Sequence, residues 1–145
     1  MSKYICIAIN KYLLSEIKAY SELINSSTTQ ILIDVAFLGS LRWFILTYPS
    51  TNKDIVEKHV LEYIQTTFKP IPQEITIYPD KNRGFLFNPN KFKFINFIKI
   101  AFTENYSTSK IFNYVLALGI DQLISYGYFK PKNHINFVLD ESMMN

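Results

Sequence analysis

Six cations crowd into one stretch of the chain: Lys81, Arg83, Lys91, Lys93, Lys99 and Lys110, faced by a single carboxylate, Glu104. Between them fall Phe85, Phe87, Phe92, Phe94 and Phe97. Ammonium and guanidinium groups neutralise phosphates and aromatic rings stack on bases, so this interleaving is the chemistry of a nucleic-acid surface. A lysine-rich solvated face over a phenylalanine-rich core produces the same pattern, and the formal net charge of +3 is modest. The distribution is more uneven than the total. Residues 1–68 carry six basic and six acidic side chains and residues 69–145 carry nine and six, so the whole excess lies in the second half.

Other chemistry finds few carriers. A zinc site needs several Cys, His or carboxylate ligands that converge, and the chain has one cysteine and two distant histidines, His59 and His134. Neither histidine has a nearby nucleophile and carboxylate in a triad-like pattern, so they read as a solvated helix-face residue and a tail residue. Gly39, Gly84, Gly119 and Gly127 are scattered and build no phosphate-cradling loop. Asp140 and Glu141 form an acidic pair in a terminal stretch that would not hold them at fixed separation. The expectation is a protein without enzymatic activity, cofactor or metal.

Cys6 has no second cysteine to pair with, which excludes an extracellular fold stapled by internal disulfides. The short apolar run from Tyr4 is broken by Lys11 and followed by no small-residue cleavage site, so no signal peptide is expected. The sequons at Asn25 and Asn105 then carry no weight. Residues 31–48 are long enough for a bilayer span, but Asp34 and Arg42 inside them would be costly in hydrocarbon. A buried helix with one polar strip is the expectation, in a cytoplasmic protein without a membrane partner.

The elements that must position these residues make a mainly α-helical domain over 1–130, with five helices and a peripheral tail over 131–145. Ile5, Ile9, Leu13, Ile17, Tyr20 and Ile24 recur at helical spacing with Lys11, Glu16, Lys18 and Glu22 between them, which predicts an amphipathic helix over 3–25. The apolar helix over 31–48 ends before Pro49, and Thr51 caps a third helix that stops before Pro70. Two β-capable runs, 75–78 and 84–87, flank a turn-rich loop and predict a small hairpin or ribbon between helices three and four. Residues 91–94 alternate like a strand, yet Phe92, Ile95, Ile98 and Phe102 repeat like a helix, and a helix over 90–103 is the reading taken. Ser107 or Ser109 caps the fifth helix, which ends before Gly127.

Residues 83–124 resemble a ribbon-helix-helix DNA-binding unit of the Arc and MetJ kind. The order matches: an apolar strand (Phe85 to Phe87), a turn with Pro89, a helix containing Ala101, a polar turn at 104–106, and Ser107-Thr108-Ser109 opening a second apolar helix. The resemblance implies that two chains pair their strands, that the ribbon enters the major groove, and that the second helix start holds a phosphate through Ser107, Ser109 and Lys110. The strand positions are Gly84, Phe85, Leu86 and Phe87, where that family carries polar or charged readers, and the turn between helices lacks the usual glycine.

The functional expectation is a non-enzymatic binding protein, a dimer or a subunit of a larger assembly. It would touch nucleic acid through Lys81, Arg83, Lys91, Lys93, Ser107, Ser109 and Lys110. The alternative is a helical protein-interaction module, such as a viral or accessory adaptor, motivated by twelve Phe and ten Tyr in 145 residues.

Overall fold

The computed structural model describes residues 4–48, 52–79, 83–88, 90 and 107–134, and its first division falls at Asn10. Ile5–Ile9 form a strand, β1, and Lys11–Leu23 a helix, α1. Spacings of four between Ile5, Ile9 and Leu13 satisfy a helix, but Cys6 and Ala8 are exposed while Ile7 and Ile9 are buried, the period of a strand. The Asn10 side chain accepts hydrogen bonds from Tyr12 N (2.9 Å) and Leu13 N (3.3 Å), so it caps α1. The helix expected over 3–25 is thereby shortened to α1. It ends where Asn25 takes a positive φ of 57° and Ser26 N–H donates to Ser21 O at 2.9 Å, a Schellman turn.

Helix α2 spans Thr28–Thr47, α3 spans Lys53–Thr67, strand β2 spans Arg83–Phe87 and α4 spans Thr108–Ser125. The chain is thus mainly helical with one small antiparallel sheet, and it has four helices among the described residues where five were expected. The helix expected over 90–103 lies outside the described residues. Asn52, not Thr51, caps α3, accepting from Asp54 N and Ile55 N. Ser107 caps α4, and a Schellman turn closes it at Gly127, whose φ is +76°. By length and composition α2 could cross a membrane, and half of its apolar stretch is buried within the protein.

The expected hairpin does not form. Residues 84–87 lie in β2, which pairs antiparallel with β1 in the register Ile5↔Phe87, Ile7↔Phe85 and Ile9↔Arg83. Nearness in sequence favoured 75–78 as the partner of β2, but burying Ile7, Ile9 and Phe87 on one face selects β1. Residues 75–78 instead run beside the segment after α4, with a parallel bridge from Ile75 to Pro131. Residues 131–134, expected in a peripheral tail, therefore pack against the body.

Helices α2 and α4 form the largest interface between elements. A Cβ on Gly39 would overlap the Val115 carbonyl, and one on Gly119 would overlap the Val35 carbonyl. The glycines that build no phosphate loop instead let two backbones meet, and Ile31, Leu32, Val35, Leu116 and Leu123 close the core around the crossing. Replacing Gly39 or Gly119 by Ala gains about 1 kcal/mol of helix propensity but forces the helices apart. We expect a net loss of at least about 2 kcal/mol for either variant, read from urea midpoints. An unchanged midpoint would mean that the helices do not cross at this distance.

Candidate functional site

β1 is the element that both Arg83 and the start of α4 meet. One of its edges is taken by β2, where Ile9 stands opposite Arg83. Its other edge meets the first turns of α4. Ala8 N donates to Ser109 Oγ at 3.2 Å, the Asn113 amide donates to Ala8 O at 2.8 Å, and Asn10 N donates to Asn113 Oδ1 at 2.9 Å. Ser107 Oγ accepts from Lys110 N at 3.2 Å. Of the residues singled out by their chemistry, Arg83, Ser107, Ser109 and Lys110 thus sit at one corner of the molecule, with Arg83 placed by its backbone. Lys81, Lys91 and Lys93 lie outside the described residues. The Ser109 hydroxyl, expected to hold phosphate, is already accepting a strand N–H.

Two polar clusters escaped the sequence reading. In the first, Arg42 of α2 grips Glu57 of α3 with two nitrogens, at 2.6 and 3.0 Å, and donates to Gln122 of α4 at 2.6 Å. The Tyr126 hydroxyl donates to the same carboxylate at 2.9 Å. The Arg42 hydrogen bonds, opposed by partial burial, hold the Glu57 carboxyl below its ordinary range. Arg42 was expected on a polar strip of its own helix; its partners are on other helices, and no spacing within one helix could name them.

The second cluster joins Glu16 to His134. Glu16 was expected on the solvated side of its helix, yet it is only 3% exposed. It follows Leu13 by three residues and precedes Tyr20 by four, so it lies on the apolar stripe, and that spacing is the signal that could have found it. His134 Nδ1 lies 2.9 and 3.2 Å from its two oxygens. His134 is therefore no tail residue. Burial pushes the Glu16 carboxyl up, against the pull of the imidazole. The Glu16 hydrogen bond raises His134, with Asp121 of α4 adding to it and burial opposing.

A carboxylate on Nδ1 fixes the imidazole as an acid-base residue requires, but Nε2 is sealed from solvent and has no partner among the described residues. The pair ties the segment after α4 to α1. His59, by contrast, is exposed as expected, its Nδ1 4.0 Å from the exposed Glu62. Among the described residues, no three His, Cys, Asp or Glu side chains converge as a metal would require.

No family model, curated protein or solved structure matches the chain.

Both members of the Glu16–His134 pair bind protons more tightly in the folded chain than in the unfolded one. Glu16's share of stability is complete below its ordinary value of 4.5 and His134's below 6.5, and each is lost as pH rises through the folded value. The thermal midpoint should therefore fall as pH rises above 6.5 through the raised His134 value, and Glu16→Gln should remove that fall. A fall of equal size in the variant would assign it to other groups.

Proposed function

We propose that this chain is a non-enzymatic binding protein that meets nucleic acid at the corner formed by β1, β2 and the start of α4. One observation carries the reading. β1 holds Arg83 through strand pairing and Ser109 through a side-chain hydrogen bond, so the two flanks of the basic stretch meet neighbouring positions of the same strand. Arg83 and Lys110, two of the six cations between Lys81 and Lys110, are thereby placed at one end of the molecule. Concentrated positive charge of this kind attracts a polyphosphate, and the phenylalanines among the cations supply stacking faces.

In this reading Lys81, Arg83, Lys91, Lys93 and Lys110 neutralise phosphates. Ser107 and Ser109 act indirectly, by capping α4 and fastening it to β1. A ribbon-helix-helix arrangement would in addition pair β2 with a strand of a second chain. A second reading, a protein-interaction module, is supported by the exposed Phe44, Leu46 and Tyr48 at the end of α2 and Ile55 in α3.

Fluorescence anisotropy with labelled duplex DNA, single-stranded DNA and single-stranded RNA tests the proposal. Binding at low salt should weaken steeply as salt is added. The Lys91→Ala, Lys93→Ala double variant should bind about tenfold or more weakly, with a salt slope smaller by about two. No binding to any of the three at low salt would sink the reading, and salt-insensitive recovery of one stoichiometric protein would favour the second.

A further inference from the structure

Residues 75–77 run beside 130–133, and the backbone groups of this stretch divide between two edges. Ile75 N–H donates to Lys130 O at 3.0 Å, and Lys132 N–H donates to Ile75 O at 2.8 Å. Two residues on, the Asn133 amide clasps Ile77, accepting from its N–H at 3.1 Å and donating to its carbonyl at 2.7 Å. Successive residues of an extended chain address opposite edges, so the groups of Thr76 and Tyr78 point away from 130–133. They make no backbone hydrogen bond among the described residues. Tyr78 is 80% exposed.

This edge borders a groove of about 330 Å³ whose other wall is the flank of α1, with Ser15, Lys18, Ala19 and Glu22. Its volume lies at the lower end of the range for ligand sites. Ser15, Ile77 and Pro79 continue from the groove into a smaller cavity of about 50 Å³ that Glu16 also lines. Two carboxylate oxygens offer about four acceptor sites, and here they share one donor, His134 Nδ1. A buried carboxylate with unspent acceptor capacity is costly, and a cationic donor entering the cavity would offset that cost. Glu22 in the groove wall adds a second carboxylate on the approach.

We infer that this groove takes an extended peptide segment of a partner protein, which adds a strand to the Thr76–Tyr78 edge and directs a lysine or arginine side chain toward Glu16. Main-chain pairing supplies affinity without regard to sequence, and the carboxylate selects the basic residue. The exposed Tyr78 lines the groove and offers a ring face to a cation. The inference stands apart from the nucleic-acid reading, whose corner uses other residues.

The test is to pan a displayed library of random octapeptides against the full chain and measure selected peptides by anisotropy and amide hydrogen exchange. Selected sequences should share one basic position. Bound peptide should slow exchange at the Thr76 and Tyr78 amides, and replacing its basic residue by norleucine should weaken binding at least tenfold. Glu16→Gln should cause a loss of similar size. Glu22→Lys, a change at an exposed position that leaves the core untouched, should weaken binding several-fold and keeps the test valid if Glu16→Gln fails to fold. Selected peptides without a basic position, unchanged exchange at Thr76 and Tyr78, equal binding by the norleucine peptide, or no peptide selected would each overturn the inference.

Discussion

The backbones of α2 and α4 touch because neither Gly39 nor Gly119 carries a Cβ, and this contact sets the register of the helical body. Arg42 and Gln122 each lie three residues beyond the glycine of their own helix, so the close crossing brings them together about one turn further on. Glu57 of α3 joins them, and Tyr126, one turn beyond Gln122 on α4, completes the cluster. The glycine contact and the polar cluster therefore constrain one another. The cluster adds little stability, because Arg42 and Glu57 are only partly buried and Arg42 Nε has no partner among the described residues.

α4 is also the element from which both proposed surfaces take their position. Its first turns fasten β1 through Ser109 and Asn113, and β1 in turn pairs with β2. At the other end the Schellman turn at Gly127 reverses the chain, sending 128–133 along 71–77 and His134 onto Glu16. The basic corner and the groove beside α1 are thus set at the two ends of one helix. Tyr20 secures the latter region from within, its ring edge-on to Phe68 and Phe129 and its hydroxyl donating to Lys69 O at 2.6 Å.

Local signals were legible where the physics is local. Ser107 was one of two caps offered for the start of α4, Gly127 marked its end, and the long apolar run marked α2. The strand in 84–87 was legible too, but not its partner, because period-two burial says which face is inward and nothing about which distant strand shares it. β1 was read as helix since a spacing of four fits both a helical turn and two strand repeats, and Asn10 was not recognised as a cap. Glu16 was assigned to water by its charge, although its position on the stripe of Leu13 and Tyr20 pointed inward.

Composition and local pattern alone were enough to establish a mainly helical chain, the helix end at Gly127, a helix start at Ser107 or Ser109, the lack of any possible internal disulfide, and the concentration of positive charge in the second half. They could do so because capping, periodicity and charge are properties of a few neighbouring residues. Tertiary packing assigned the pairing of β1 with β2, the role of Gly39 and Gly119, the partners of Arg42 and the meeting of Glu16 with His134. Each of these joins residues far apart in the chain, and their contacts depend on which apolar faces bury one another across the whole molecule.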